Sequence, residues 1–191
     1  MRSGQGDRAT PRSRFLELLP RHAVCAEIGV LRGSFTRAIL DVARPRELHL
    51  IDAWWELYGE RYPDWGEHTD FGTLGTRAAH GQVVELVERH GGDTSCHIHV
   101  GDDVEILERF PDGHFDWVYL DTSHAHDHTR RELAVLERKV GRHGLIAGDD
   151  WHPGRTHPGV AAVVEELVAD GGWELVQVDS LGQWLVAPTR R

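Results

Sequence analysis

Several apolar segments of this chain end in aspartate, and these aspartates are the residues best suited to chemistry. The segment "HLID" ends at Asp52, "HVGD" at Asp102, "VYLD" at Asp121, and "GLIAGDD" at Asp149 and Asp150. A single aspartate after a strand often does no more than cap the next helix. Several together favour a shared site, because ligands of open α/β sheets bind outside the carboxyl ends of the strands.

Asp121, Asp149 and Asp150 follow two segments that we expect to be neighbouring strands. Three carboxylates held close together repel one another unless a cation neutralises them. Ligation by oxygen alone suits Mg²⁺, Ca²⁺ or Mn²⁺, and Mg²⁺ usually keeps several waters that a substrate diol could replace. We therefore predict that these three aspartates bind Mg²⁺ or another divalent cation.

The segment "AEIGVLRGSFT" predicts a strand, a glycine-containing turn and a helix for which Ser34 is the expected N-cap. We expect a cofactor to lie across this turn, near Gly29, Gly33 and Ser34, because glycine permits close backbone approach. The turn lacks the G-x-G-x-x-G fingerprint of dinucleotide-binding proteins. Glu27 would disfavour a phosphate but suits a ligand amine, and Asp52 is placed to bind ribose hydroxyls.

Strands and helices alternate along the chain, which predicts a parallel, three-layer α/β fold. A last pair, "WELVQVD" and "GQWLVAP", forms a closing hairpin. Residues 53–75 are longer than an ordinary connection and are expected to form a lid-like loop. We predict a flexible tail over 1–11 and a single domain over 12–191. The expected parallel strands are 23–30, 47–52, 96–102, 115–121 and 144–150.

The composition is that of a globular protein and narrows the classes of partner. The chain has 191 residues and a formal net charge of -10, which argues against a nucleic-acid partner because phosphate contacts need a basic face. No apolar stretch is long enough to span a membrane. The first residues are basic and polar with no apolar region behind them, so a secretory signal is not predicted and a cytoplasmic location is expected.

The segments "AEIGVLRGSFT", "LHLIDAW", "HVGDD", "DWVYLDTSHAHDH" and "LIAGDDW" resemble the successive motifs of class I S-adenosylmethionine-dependent methyltransferases. The resemblance covers roughly residues 20–188. It implies a Rossmann-like, seven-stranded, mostly parallel sheet with strand order 3-2-1-4-5-7-6, in which strand 7 is antiparallel. The terminal hairpin agrees with that order.

The resemblance also implies roles for individual residues toward S-adenosylmethionine. Glu27 and Gly29 would lie near its methionine moiety, and Asp52 would bind its ribose. Asp102 would approach the adenine amino group. Trp54 would cover the adenine, although packing within the lid is an equally good interpretation of this residue.

Asp121 followed by Asp149-Asp150 resembles the metal triad of catechol-type O-methyltransferases and of macrocin-type sugar O-methyltransferases. The second group fits better, since catechol-type enzymes generally have Asp-Asn in place of the Asp-Asp pair. The implied reaction is O-methylation of a small molecule with vicinal hydroxyls, such as a sugar or another natural product. His124 is the first candidate for the base, because it stands where catechol-type enzymes carry a lysine, and Asp121 is the second.

Two other interpretations stay open at the level of sequence. One is a metal-independent methyltransferase of the same fold, in which the acids bind a cationic substrate or cap helices. The other is a protein that binds the cofactor without transferring a methyl group. A chain of this length also leaves room for a homodimer in which the second subunit completes the acceptor pocket.

Overall fold

A computed structural model describes residues 11–90, 92–123, 125–152 and 158–189. Seven strands form one sheet in the order β3-β2-β1-β4-β5-β7-β6. Strands β1 to β5 pair in parallel, and β7 runs antiparallel to both β5 and β6. The predicted Rossmann-like α/β fold and its strand order are therefore confirmed. The strands are β1 Val24–Ile28, β2 Glu47–Asp52, β3 Ser95–Val100, β4 Phe115–Leu120, β5 Val140–Gly148, β6 Trp173–Val178 and β7 Trp184–Pro188.

Helices cover both faces of the sheet, so the molecule has three layers. The α-helices are α1 Pro11–Arg14, α2 Ser34–Ala38, α3 Trp55–Tyr58, α4 Thr76–His90, α5 Asp103–Glu108, α6 His126–Lys139 and α7 Pro158–Ala169. One apolar core lies between the sheet and α2, α4 and the 3₁₀ turn Phe15–Leu18, and the other lies under α5, α6 and α7. Alternate residues of a strand point to opposite faces, and in β1 Cys25 joins the first core while Ala26 joins the second.

Burial along the strands follows their position in the sheet. All five residues of the central strand β1 are buried, which explains its continuous apolar sequence. The edge strands β3 and β6 are much more exposed and carry polar residues. Because β1 and β4 are neighbours at the centre, their carboxyl ends meet at the middle of the rim where the acidic residues lie.

One local prediction was wrong, and two segments contain short elements that the sequence did not predict. Ser34 is the first residue of α2 rather than its cap, and the cap position belongs to Gly33 with φ 82° and ψ 17°. The helix then changes to a π-helical turn over Ile39–Ala43. The lid-like loop 53–75 contains α3 and a 3₁₀ turn at Glu67–Thr69. In each case local hydrogen bonding, which a hydrophobic pattern does not encode, decided the conformation.

The predicted flexible tail falls almost entirely on residues outside the described ones. Within the described part of the chain, no helix combines the length and the apolar character that crossing a membrane requires.

Candidate functional site

A cavity of about 1000 Å³ opens at the carboxyl ends of the parallel strands. Gly33 and Trp54 are not among its lining residues, and His124 lies outside the described residues. The predicted site residues that border the cavity are Glu27, Gly29, Ser34, Asp52, Asp102, Asp121, Asp149 and Asp150.

Gly29 allows the end of β1 to lie close to the end of β4. Its φ of +85° is favourable only for glycine. A β-carbon at this position would overlap the carbonyl oxygen of Asp121 and lie 2.6 Å from its carbonyl carbon. The backbone bond from Asp121 N–H to the Ile28 carbonyl, at 2.8 Å, holds the two strand ends together. The glycine is thus needed to bring Asp121 beside the first turn.

Glu27 is a charged residue inside the central strand, and it is only 1% exposed. The Thr36 hydroxyl donates a hydrogen bond to its Oε2. Since Thr36 lies on α2, this bond ties the strand to the helix behind the first turn. A buried carboxylate at the cavity wall is suited to receive a cationic ligand group such as an amine.

Asp52 organises the first turn from the neighbouring strand. Its Oδ2 accepts hydrogen bonds from the backbone N–H groups of Val30 and Leu31, at 2.9 and 2.8 Å. Its Oδ1 accepts one from Trp54 N–H at 2.9 Å. Burial raises the pKa of Asp52, and these three bonds oppose the rise. The carboxylate therefore shapes the turn in addition to bordering the cavity.

Trp54 lies in the core, which differs from its predicted place over the cofactor. Its side chain is fully buried and its indole N–H donates to the Leu31 carbonyl at 2.8 Å. The ring edge packs against His80, with the ring centroids 4.9 Å apart. Trp54 therefore packs against the first turn and α4 and supports the turn from behind.

The three aspartates of the predicted metal site follow strands that lie side by side. Leu120 of β4 pairs with Gly148 of β5, so Asp121 and Asp149 come next in neighbouring positions. Asp149 N–H donates to the Leu120 carbonyl at 3.1 Å, and Asp150 N–H donates to Asp149 Oδ1 at 2.9 Å. Asp150 has a φ of +65°, in the left-handed region. Such strained backbone is most common at functional sites.

Asp102 acts as the N-cap of α5, because its Oδ1 accepts the Glu105 N–H at 2.9 Å. Capping the next helix is a common role of an aspartate that follows a strand. The side chain is nevertheless exposed at the mouth of the cavity, so a further contact with a ligand is compatible with its position.

The structure adds a charged network that the sequence analysis missed, formed by Asp103, His128 and Glu132. His128 Nε2 lies 2.9 Å from Asp103 Oδ2 and 3.5 Å from Glu132 Oε1. Glu132 is fully buried and also accepts a hydrogen bond from the Thr122 hydroxyl at 2.8 Å. His128 and Glu132 stand four residues apart in α6, and that spacing was the available signal.

The network shifts the pKa of each of its members. The hydrogen bond with Asp103, followed by that with Glu132, raises the pKa of His128 to about 10. Burial raises the pKa of Glu132 to about 7, against the opposing effect of His128. Burial acts to raise the pKa of Asp103, but the hydrogen bond and the charge of His128, together with hydrogen bonds from Glu132 and the Val104 N–H, leave that pKa lowered. His128 is therefore held with its Nε2 proton directed at Asp103.

The lid-like loop borders the cavity and is held to the first turn by polar contacts. Arg32 donates to the His68 carbonyl and forms an ion pair with Asp70 Oδ1 at 2.7 Å. Tyr62 borders the cavity, and its buried hydroxyl has no hydrogen-bond partner among the described residues. Trp65, an aromatic residue of the same loop, is 77% exposed. The Tyr62 hydroxyl is thus a polar group at the cavity that a bound ligand would satisfy.

Comparison with known proteins identifies the family. A family model described as a methyltransferase domain matches residues 26–151, more than half of the chain. The chain belongs to this methyltransferase family. The match spans β1 to the end of β5, and so includes every strand that contributes to the cavity. The methyltransferase has no significant match among curated proteins.

Solved structures with the same fold cover nearly the whole methyltransferase. A candidate O-methyltransferase from Klebsiella pneumoniae is 20% identical, with a TM-score of 0.61, and the match covers 98% of this chain and 84% of that one. The cofactor-bound protein Rv0187 from MTB is 17% identical, with a TM-score of 0.63 and the same coverage. A SAM-dependent methyltransferase from Aquifex aeolicus is 14% identical, with a TM-score of 0.61, covering 94% and 89%.

At these identities the structural likeness establishes the fold, while the family model establishes the methyltransferase domain. The resemblance to class I S-adenosylmethionine-dependent methyltransferases is therefore confirmed. The narrower grouping with sugar or catechol-type enzymes stays a prediction.

Proposed function

We propose that this methyltransferase transfers the methyl group of S-adenosylmethionine to a hydroxyl of a small molecule with vicinal hydroxyls, with Mg²⁺ or another divalent cation held by Asp121, Asp149 and Asp150. One observation carries the proposal. These three acids border the same cavity as Glu27 and the first turn, on the adjoining strand ends. A donor on the first turn and an acceptor near the acids would then be neighbours.

The chemistry of the cavity wall fits the cofactor. The volume of about 1000 Å³ is at the upper end of the usual range for small-molecule sites and has room for a cofactor and an acceptor together. Glu27 offers a carboxylate to an amine, and the Asp52 oxygens lie where ribose hydroxyls bind in related folds. The bound cofactor would supply an electrophilic methyl group. The cofactor-bound structure of Rv0187, which has the same fold, supports this assignment.

Asp121, Asp149 and Asp150 offer carboxylate groups at the ends of β4 and β5, which are the chemical type of ligand that suits a hard divalent cation. Carboxylate oxygens are the preferred ligands of Mg²⁺. The cation would lower the pKa of a substrate hydroxyl bound to it. The residues of the chain would orient that hydroxyl toward the first turn, at the short distance that methyl transfer requires.

The base that accepts the hydroxyl proton is proposed to be His124 or Asp121. Asp121 borders the cavity directly. His128 also borders it, but its Nε2 donates to Asp103 and its pKa is raised to about 10 by that bond. An imidazole that already holds its proton at neutral pH cannot serve as the base. Tyr62, whose hydroxyl has no hydrogen-bond partner in the described part of the chain, is proposed to contact the acceptor.

Methyl transfer to a panel of sugars and catechols, with and without a chelator, tests the proposal. We expect transfer to stop with the chelator and to return with added Mg²⁺. Asp149→Asn should abolish transfer while leaving the binding of S-adenosylhomocysteine, measured by calorimetry, close to that of the wild type. Asp170→Asn, an exposed position at the end of α7, is the matched control and should behave as the wild type.

Three results would contradict parts of the proposal. Transfer that survives the chelator unchanged would remove the cation and favour a metal-independent enzyme. Cofactor binding without transfer to any acceptor would favour a binding protein. The absence of S-adenosylhomocysteine binding would remove the assignment of the cavity to the cofactor.

A further inference from the structure

A group of histidines lies on the sheet away from the cavity, and the methyltransferase reaction does not use it. His49 of β2 and His97 and His99 of β3 share the face that carries α5 to α7, and His114 precedes β4 on the same side. Glu47, the first residue of β2, completes the group. None of these five residues borders the cavity.

Three side chains of this group converge on one point. Glu47, His49 and His114 each offer one ligand atom, and these atoms all lie within 4.8 Å of one another. Glu47 Oε1 is 3.1 Å from His49 Nε2 and 3.6 Å from His97 Nε2. Two imidazoles and a carboxylate, with a third imidazole within reach, are a common ligand set for zinc.

His114 supplies an independent observation that points to a ligand. Its Nε2 is buried and has no hydrogen-bond partner among the described residues. Its ring lies edge-on to His49, with the centroids 5.5 Å apart, and stacks on Phe110 at 5.0 Å. A buried nitrogen without a partner costs free energy. A cation shared with Glu47 and His49 would satisfy it.

The contact made by the second ring nitrogen of His49, Nδ1, is also consistent with metal binding through Nε2. His49 Nδ1 is 3.0 Å from His99 Nε2. If His49 Nδ1 carries the proton and donates a hydrogen bond to His99, then His49 Nε2 presents its lone pair toward Glu47. Metal-binding histidines are usually oriented in this way by a hydrogen bond from their second nitrogen.

We propose that Glu47, His49 and His114 form a binding site for a first-row transition metal ion such as Zn²⁺, with His97 able to join as a fourth ligand. The ion has a route from solvent, because the side chains of His97 and Glu47 are 45% and 30% exposed. The nitrogen ligands select a softer ion than the all-oxygen set of the cavity. The site would tie β2, β3 and the segment before β4 together, so its role would be structural.

The alternative is a network of hydrogen bonds in which His49 Nε2–H donates to Glu47 and no ion binds. Titration of the full chain with Co²⁺, followed by visible absorption, separates the two. Four-coordinate cobalt with nitrogen ligands absorbs strongly, whereas six-coordinate cobalt with oxygen ligands absorbs weakly. Excess Mg²⁺ in the buffer occupies the proposed carboxylate site, and zinc is then added to displace the cobalt.

We expect the wild type to develop the strong absorption, to lose it on adding zinc, and to melt at a higher temperature with zinc bound. His114→Gln and Glu47→Gln should each abolish the strong absorption while remaining folded by circular dichroism. His90→Gln, an exposed histidine at the end of α4, and Asp149→Asn should keep it. Retention by Asp149→Asn distinguishes this site from the proposed catalytic one.

The proposal is overturned if the wild type shows no strong absorption and no zinc-dependent rise in melting temperature. It is equally overturned if both substituted proteins, His114→Gln and Glu47→Gln, bind the metal as the wild type does. If one of the two fails to fold, the other decides the outcome.

Discussion

Replacing Gly29 by alanine tests the idea that a close contact between β1 and β4 builds the site. The φ of +85° at Gly29 costs an alanine about 1–2 kcal/mol. The added methyl would also overlap the Asp121 carbonyl, which is backbone and cannot rotate away. Forcing a methyl into packed structure costs about 1–3 kcal/mol more. We therefore expect Gly29→Ala to lose roughly 2–5 kcal/mol of the free energy of unfolding.

Gly171→Ala is the matched control for this experiment. Gly171 has nearly the same φ, +80°, but a β-carbon there would meet nothing within 4 Å. Its alanine variant should lose only the backbone part, about 1–2 kcal/mol. In urea, where unfolding free energy changes by about 1–3 kcal/mol per molar for small proteins, the two variants should differ in midpoint by roughly 1 M.

The Gly29→Ala substitution should also weaken ligand binding, because the overlap with the Asp121 carbonyl pushes Asp121 away from the first turn. The affinity for S-adenosylhomocysteine, measured by calorimetry below the unfolding transition, should fall for Gly29→Ala and stay unchanged for Gly171→Ala. Equal urea midpoints for the two variants would refute the argument, because the Asp121 contact would then contribute nothing.

Three further substitutions probe the supports of the cavity. Asp52→Asn places an amide opposite backbone donors and should cost about 1–3 kcal/mol of stability, with weaker cofactor binding by calorimetry. Trp54→Phe removes the bond to Leu31 and should cost about 1 kcal/mol by urea unfolding. His128→Gln should destabilise most below pH 6.5, the ordinary pKa of histidine. The pKa of His128 is raised by Asp103, so its stabilisation is complete below its ordinary pKa and is lost as pH rises toward 10; a stability difference that does not shrink from pH 7 to pH 10 would contradict this.

The sequence predicted the sheet well because its strands are unusually clear. The apolar runs before Asp52, Asp121 and Asp149 are buried parallel strands, and such runs have few other interpretations. Parallel strands with crossover helices then fix which strand ends share a rim. The residues that border the cavity follow from that topology with no knowledge of side-chain geometry.

The predictions that failed depend on contacts between distant residues or on local geometry. Trp54 is aromatic and follows a strand end, but its burial against His80 comes from α4 folding back over the loop. The Asp103–His128 pair joins α5 to α6, which no local pattern indicates. Ser34 is a good N-cap residue by type, yet Gly33 takes the cap because the turn needs a positive φ.

A crystal structure with S-adenosylhomocysteine and Mn²⁺ bound tests the central claim most directly, because the anomalous signal of manganese locates the ion without ambiguity. We predict one ion at the cavity, ligated by carboxylate oxygens of Asp121, Asp149 and Asp150, with the cofactor sulfur on the first turn facing it. A cavity that holds the cofactor and has no manganese at these aspartates would contradict the account.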